Sequence, residues 1–387
     1  MPPRVNNGLQ DRHLALVAVL AGVMWSIGAV DLSEPGIERV GLLLTGIALG
    51  VAGALGRDVG LGAGLYAVAV GGVERIQRDL LEGGSDVLRA TAEAIDVLMR
   101  GGNPYDHVML STDPLGSPFV YPPGEFLYYL LPYRGFGEIG RVETWAGILT
   151  IAVLVIAGVR VGAGRAALVA MLYAVWGIAA FRTTDGGNDV SAALLVVVGF
   201  VALAFTSLPA PRGRIAFAVS AVAFGWALAF KQFAVLVWPF ALRHLAVTGA
   251  PWRRYLLVSG GVAAAMTLPF VLWSPGAFLS QQWQALTFHD QVWGLNLLNT
   301  LLRFRTVDGL LAAFFALEIV ATTALVVVGL RARLATIGSA ALVGAAVLVV
   351  PLLLAKWTTQ SYFVYAATVA AAGVVLIDAP AEVTADA

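Results

Sequence analysis

Carboxylates and cations that could act on a substrate lie in a few polar segments between long apolar runs. The longest polar segments are 74–143 and 274–308, and the short segments 182–189 and 356–360 carry further charges. A carboxylate can take a proton from a hydroxyl group, and Lys or Arg can stabilise a departing phosphate. The chain contains no cysteine, which excludes thiolate metal sites, iron–sulfur clusters and a cysteine nucleophile.

Asp86 is the acid that we favour as a general base, because it begins an amphipathic helix predicted over 86–100. The apolar residues of this segment recur at helical spacing and its charges fall elsewhere, so the helix is expected to lie along the membrane surface. An Asp at a helix start is also favoured simply as a cap, and both interpretations stand. Other acids of the same polar segment are rival candidates for the base: Asp79, Glu82, Asp96 and Asp106.

Lys231 is the cation that we favour as a phosphate ligand. It lies between two apolar runs, 215–230 and 232–247, each of which is predicted to cross a membrane. A charge at that depth needs an anion or access to water, and the alternative is a side chain that extends from a helix end to the interface. The same two interpretations apply to four further cations: Arg182, Arg303, Arg305 and Lys356. His289 and Asp290 could bind a hydroxyl group, but one His and one Asp are too few to indicate a metal site, and no cofactor is expected.

The elements that must position these residues are membrane spans. Of the 387 residues, 59% are apolar and 12% are charged, whereas a soluble protein has about half apolar and a quarter charged. Apolar runs of about 17–25 residues match the hydrocarbon core of a bilayer. Twelve such runs occur, near 14–30, 40–56, 59–73, 144–160, 166–181, 190–208, 215–230, 232–247, 255–273, 309–330, 334–355 and 361–377. The sequence therefore predicts an all-α, polytopic membrane protein.

The basic residues of the short loops predict the orientation of these spans. With the N-terminus in the cytoplasm, most Lys and Arg residues of the short loops fall on the cytoplasmic side. The segments 74–143 and 274–308 then lie outside the plasma membrane and form the presumed active face of a single membrane domain, 1–387, with a polar tail at 379–387. Lys+Arg and Asp+Glu both number 24, so no net basic field is available to hold nucleic acid.

The sequence from Ser85 to about Pro132 resembles membrane glycosyltransferases of the GT-C superfamily, and most of all the polyprenol-phosphate-mannose-dependent mannosyltransferase-like family, GT87. The resemblance rests on an acid that opens an amphipathic helix, then GGNPYD at 101–106, then FVYPP at 119–123 before an apolar helix. In that family an acid near the start of the first large outer loop is thought to be the catalytic base. The matching residue here is Asp86.

Two later positions extend this resemblance. The family tends to have a Lys ahead of a Pro in a mid-chain apolar segment, which fits Lys231 and Pro239, and often has Gly-Gln-x-Asn where this chain has GGND at 186–189. The resemblance implies transfer of a mannose-like hexose from a polyprenyl-phosphate donor to a lipid or glycan acceptor, among membrane lipids, and we expect inversion. The expected substrate-binding residues are Lys231, Arg182, Asn103, Tyr105, Asp106, Tyr121, Asn188, Asp189, His289 and Lys356.

A secondary transporter or a flippase for a lipid-linked sugar is the main alternative. Transporters place charged residues near the membrane midplane on broken helices, and here Glu318 is the acid clearly inside a span. Glu318 is either hydrogen-bonded between helices or part of a proton relay. A subunit without activity is a third interpretation. The gathering of acids and cations on one face favours the enzyme.

Overall fold

The computed structural model describes residues 7–29, 36–78, 84–137, 139–287, 292–302 and 309–379. The α-helices of these residues are α1 (Asn7–Ala29), α2 (Ile37–Ala54), α3 (Gly60–Ile76), α4 (Val87–Met99), α5 (Gly124–Phe136), α6 (Gly140–Val161), α7 (Ala163–Ala174), α8 (Gly177–Phe181), α9 (Asp189–Ala204), α10 (Arg212–Phe230), α11 (Ala234–Val247), α12 (Trp252–Trp273), α13 (Pro275–Thr287), α14 (Leu297–Leu302), α15 (Leu310–Arg331), α16 (Ile337–Leu354) and α17 (Gln360–Val375). A 3-10 helix covers Pro104–Asp106, and two short strands, β1 (Trp293–Gly294) and β2 (Trp357–Thr358), pair in parallel.

Eleven of the twelve predicted spans each coincide with one helix of the structure, and the span 166–181 covers α7 and α8. Within the described residues, seven of these helices are long and apolar enough to cross a membrane, namely α1, α2, α6, α10, α12, α15 and α16. Shorter apolar helices are α7, α9, α11 and α17. The predicted all-α, multi-pass membrane fold is confirmed.

The predicted span at 166–181 differs from the structure, because its helix breaks near the end. Helix α7 ends at Ala174, Trp176 has an extended backbone with φ −73° and ψ 98°, and α8 follows as a five-residue helix. The last carbonyls of α7, on Tyr173 and Ala174, accept hydrogen bonds from the Arg75 guanidinium instead of from a continuing helix. A side chain from α3 thus replaces the missing helical donors.

Contacts between helix termini define two opposite ends of the bundle. At one end, Asp11 in α1 accepts hydrogen bonds from the backbone nitrogens of Gly164 and Arg165 in α7. At the other end, the first turns of α6 and α9 meet, and the last residue of α10 is followed by Lys231, which bonds to the start of α9. Strands β1 and β2 join the segments 292–302 and 355–360 at this second end. The polar segments expected to carry the site therefore converge on one end, which we call the site end.

Helix α4 confirms the predicted amphipathic helix to within one residue at each end, but its apolar face is covered by protein. Leu88, Ala94 and Ile95 are buried, and α4 packs against α5 and the 3-10 helix. Helix α5 supplies the partner for this apolar face, and the expectation that the helix lies along the membrane surface stays a prediction. Gly101, with φ +82°, follows the end of α4 as a glycine in the left-handed region commonly does.

Candidate functional site

Asp86 occupies the N-cap position of α4, yet its carboxylate does not cap the helix. Its side chain makes no bond to the first turn, and Oδ2 instead accepts a hydrogen bond of 2.7 Å from the backbone nitrogen of Asp113. The hydroxyl of Ser85 provides the local bond, accepting from the nitrogen of Val87 at 3.4 Å. Asp86 is partly exposed. The carboxylate is therefore held by a loop and makes no capping hydrogen bond to its own helix.

The first turn of α4 is fixed against the segment that precedes α9. The nitrogen of Ser85 donates to the carbonyl of Asp185 at 2.5 Å, and the nitrogen of Leu88 donates to the carbonyl of Gly186 at 3.0 Å. A Cβ on Gly84 would overlap the Asp185 carbonyl, and Gly186 has φ +80°. Only glycine allows this approach without strain at both positions. The GGND segment thus lies directly beside Asp86.

Lys231 directly follows the last residue of α10. Its backbone is extended, and the residue is 3% exposed. Its amine donates to Asn188 Oδ1 at 2.8 Å and to Asp189 Oδ1 at 2.5 Å. The rings of Tyr121, Phe233 and Tyr362 surround it, with centroids 5.1–5.5 Å from Nζ. The amine is therefore enclosed by protein and paired with a carboxylate, rather than extended to the interface.

Glu125, in the first turn of α5, is a buried carboxyl that the sequence did not single out. Its Oε1 accepts from Thr91 Oγ1 at 2.6 Å and from Asn188 Nδ2 at 3.1 Å, while Oε2 is buried without a partner among the described residues. Burial raises the pKa of this carboxyl above its ordinary value, against the lowering effect of these two bonds and of Lys231.

Glu143, at the start of α6, is a second buried carboxyl that the sequence did not identify. Its Oε1 accepts from the Tyr129 hydroxyl at 2.5 Å, and Oε2 accepts from the backbone nitrogens of Val190 and Ser191 at 3.1 and 3.2 Å. Glu143 thus satisfies the free donors at the start of α9. The site end buries this carboxyl together with Glu125 and the Lys231–Asp189 pair.

The expected substrate-binding residues of the GGNPYD segment stabilise the loop. Asn103 Oδ1 accepts from the nitrogen of Tyr105 at 3.1 Å and so begins the 3-10 helix. The hydroxyl of Tyr105 donates to the carbonyl of Tyr121 at 2.7 Å, and its buried ring contacts four Phe rings. Asp106 Oδ1 accepts from Ser274 Oγ at 2.8 Å. These contacts position Tyr121 beside Lys231.

Arg182 and Lys356 lie at the same end of the bundle. Arg182 donates to Asp185 Oδ2 at 2.5 Å and to Gln360 Oε1 at 2.8 Å, and so links the segment before α9 to α17. Lys356 precedes β2, and its carbonyl accepts from Asn296 at 3.3 Å. Several predicted candidates lie outside the described residues: His289, Asp290, Arg303, Arg305, Asp79 and Glu82.

The rival acids Asp96 and Asp106 bond to residues away from Lys231, one in α5 and one directly after α12. Asp96 Oδ1 accepts from the Tyr133 hydroxyl at 3.1 Å, whereas Asp106 bonds to Ser274. Asp86, by contrast, lies beside the GGND segment, through the backbone bonds of Ser85 and Leu88 to Asp185 and Gly186. Burial raises the pKa of Tyr121, and the nearby charges of Asp189 and Asp86 raise it further. Among these three acids, Asp86 is the one placed next to the residues around Lys231. Within the described ranges, no group of three or more His, Asp or Glu side chains is arranged to hold a metal ion.

A comparison with known proteins identifies the architecture. No protein-family model matches the sequence, and no curated protein matches it. Two crystal structures of ArnT from Cupriavidus metallidurans match this chain. The structure bound to undecaprenyl phosphate has a TM-score of 0.51 and 19% identity, and the match covers 80% of this chain and 58% of that chain. The apo structure has a TM-score of 0.51 and 18% identity, and the match covers 80% of this chain and 57% of that chain. The chain shares its fold with ArnT. It spans less than two thirds of the length of ArnT.

Proposed function

We propose that this GT-C-like protein is a membrane glycosyltransferase that uses a polyprenyl-phosphate-linked sugar as its donor. The observation that carries the proposal is the meeting of Asp86, Asn188, Asp189 and Lys231 at one end of a bundle that shares its fold with ArnT. One of the ArnT structures is bound to undecaprenyl phosphate, which supports a polyprenyl phosphate as the lipid part of the donor. A mannose-like hexose, the GT87 family and an outer, plasma-membrane site are the finer parts of the proposal.

Asp86 is the general base of this proposed reaction. Its carboxylate takes the proton of the acceptor hydroxyl while the hydroxyl oxygen forms a bond to the anomeric carbon. The bond from that carbon to the phosphate oxygen breaks, and polyprenyl phosphate leaves with the electron pair, so the configuration inverts. The 2.7 Å bond from the Asp113 nitrogen to Oδ2 supports this role, because it fixes the direction of the carboxylate without neutralising it.

The departing phosphate requires a cation, and Lys231 is the proposed ligand. Its amine has three donor hydrogens, of which Asn188 and Asp189 occupy two. Arg182 and Lys356, at the same end of the bundle, are the further proposed cations. Tyr121 and Tyr362, beside the amine, offer ring faces to a sugar or an isoprenyl unit.

Purified protein in liposomes tests the proposal directly. Radiolabelled polyprenyl-phosphate mannose, glucose, galactose and arabinose are supplied with membrane lipids as acceptors, and we expect labelled product from at least one donor. Product with the inverted anomeric configuration supports the mechanism. If no donor yields product but a lipid-linked sugar crosses the bilayer, the protein is a flippase and the proposal is wrong.

A further inference from the structure

Glu125 connects the two parts of the proposed site, although no step of the proposed reaction uses it. On one side it contacts Thr91 of α4, the helix that Asp86 begins. On the other side it contacts Asn188, which in turn contacts the Lys231 amine. The chain of contacts thus runs from the proposed base to the proposed phosphate ligand through one buried carboxyl.

The amide orientation of Asn188 determines which way the hydrogen bonds run. An amine can only donate, so the amide oxygen must face Lys231, 2.8 Å away. The amide nitrogen therefore faces Glu125 and donates to Oε1 at 3.1 Å. Glu125 acts as an acceptor towards Asn188 in either of its protonation states.

The hydroxyl of Thr91 has two neighbours but only one hydrogen. Thr91 Oγ1 lies 2.8 Å from the carbonyl of Val87 and 2.6 Å from Glu125 Oε1. If Glu125 is ionised, both neighbours are acceptors and one of the two short contacts lacks a hydrogen. If Glu125 carries a proton on Oε1, it donates to Thr91, and Thr91 donates to Val87. Both short contacts are then hydrogen bonds.

The second oxygen of Glu125 favours the same protonation state. Oε2 is buried and has no partner among the described residues. As half of a carboxylate it would be an unpaired buried charge, whereas as the carbonyl oxygen of an acid it is neutral and costs less. Lys231 is the cation that faces Glu125, and its charge is already matched by Asp189. Other titratable groups near Glu125 are Glu143, Tyr105, Tyr121 and Tyr129.

We infer that Glu125 is a positioning residue that works as a neutral acid and links the Asp86 helix to Asn188 and Lys231. Ionisation of Glu125 turns the Thr91 hydroxyl away from the Val87 carbonyl, a bond within α4, and adds a negative charge beside an anionic donor. Transfer should therefore fall as the pH rises through the raised pKa of Glu125. The activity measurement rests on the proposed function, whereas the protonation of Glu125 can be measured whether or not the protein transfers sugar.

Glu125→Gln tests the inference through the pH profile, with Glu74→Gln as the matched control. Gln keeps the acceptor oxygen for Asn188 and cannot ionise, so the alkaline fall should disappear while turnover below it decreases by about fivefold, the value of one hydrogen bond. Glu74 pairs with the partly exposed Arg78, so its variant should keep the alkaline fall. A loss of about 100-fold or more at every pH, the size of a lost proton-transfer group, would overturn the positioning role.

Infrared spectroscopy tests the proton without requiring transfer activity. We expect a protonated-carboxyl band in the wild-type protein near neutral pH that is lost at alkaline pH and absent from Glu125→Gln. If this band is present and no donor is ever used, the proposed function fails and the protonation stands. If the band is missing at every pH where the protein transfers sugar, the inference fails and the function stands.

Thr91 provides a second variant in case Glu125→Gln does not fold. Thr91→Val removes the hydroxyl that is hydrogen-bonded to Glu125, so the midpoint of the alkaline fall should move. Thr91→Ser keeps the hydroxyl and should restore the wild-type midpoint. A midpoint that stays unchanged in Thr91→Val would show that Glu125 does not control the profile.

Discussion

Lys231 and Asp189 form an ion pair inside the protein, with 2.5 Å between Nζ and Oδ1 and both side chains about 5% exposed. The pair joins the end of α10 to the start of α9. It also means that the proposed phosphate ligand already has an anionic neighbour. Breaking a buried pair by removing one partner leaves the other charge uncompensated, whereas replacing both partners costs far less.

The first prediction separates the structural role of Lys231 from its proposed binding role. Lys231→Met should lower the free energy of unfolding by about 3–5 kcal/mol, because it leaves Asp189 buried and unpaired. The double variant Lys231→Met/Asp189→Asn should recover most of that loss. Thermal unfolding in detergent measures both variants.

Donor affinity is then measured in the double variant, which folds without a buried unpaired charge. Loss of a charge-assisted hydrogen bond to phosphate, about 1.5–3 kcal/mol, should weaken donor binding by at least about tenfold. Wild-type donor affinity in the double variant would leave Lys231 as a structural residue and move the phosphate to Arg182 or Lys356.

The helices could be predicted from hydropathy, and the site could be predicted only in part. Asp86 follows from its position at the start of an amphipathic helix, and Lys231 follows because a charge between two apolar runs is conspicuous. The partners of Lys231 could not be assigned, since Asn188 lies 43 residues away along the chain. Which polar residues of different helices meet depends on the angles at which the helices pack, and the hydrophobic periodicity of a sequence does not determine those angles.

The sequence does carry a signal for Glu125 and Glu143. Each is an acid that directly precedes or enters an apolar helix, and ionisable residues at such depth are functional or structural candidates by default. The same signal marks Arg75 near the end of α3. Its fully buried guanidinium donates to the carbonyls of Gly71, Tyr173 and Ala174, a role that requires knowing that α7 stops beside it.

The second prediction concerns that arginine. Arg75→Met removes the guanidinium donors from the carbonyls of Tyr173 and Ala174, of which Tyr173 keeps a 3.4 Å bond from the Trp176 nitrogen. The free energy of unfolding should therefore fall by at least about 2 kcal/mol. Arg78, one turn away, pairs with Glu74 at the surface, and Arg78→Met should cost less than about 1 kcal/mol. Equal losses of thermal stability in the two variants would contradict the assigned role of Arg75.

The third prediction tests the orientation of the membrane domain. The wild type has no cysteine, so single introduced cysteines report their side unambiguously. Leu115, which is 71% exposed at the site end, should react in intact cells with an impermeant thiol reagent when changed to Cys. Arg212→Cys, in an exposed position at the opposite end, should react only after lysis. The reverse pattern would put the site end in the cytoplasm.

The fourth prediction concerns the loop that carries Asp113. Glu93 accepts hydrogen bonds from His107, from the backbone nitrogens of Leu110 and Ser111, and from the Ser111 hydroxyl. Although burial raises the pKa of Glu93, these bonds together lower it to about 2. A lowered folded-state pKa stabilises the protein above the ordinary Glu pKa of about 4.3, and the contribution is lost as the pH falls towards the folded value.

Glu93→Gln should therefore release this loop at neutral pH. Amide hydrogen exchange of Leu110 and Ser111 should accelerate in the variant, and the same amides of the wild type should lose protection only at acid pH. Since Asp113 bonds to Asp86, turnover should also fall, without the change in pH profile expected of a base. Unchanged exchange at Leu110 would show that Glu93 does not hold the loop.

The last prediction assigns Asp86 as the base. Asp86→Asn removes the proton acceptor but keeps an oxygen for the 2.7 Å bond from the Asp113 nitrogen. A positioned general base contributes about 10²–10⁴-fold, so turnover should fall by that factor while the unfolding temperature barely changes. The structure sharpens the comparison, because the wild-type carboxylate makes no bond to the first turn of α4 that the substitution could disturb. Radiolabelled donor and membranes with equal amounts of folded protein give the measurement. Turnover within about twofold of wild type would exclude Asp86 as the base and direct the same substitution to Asp96, Asp106 and Asp79.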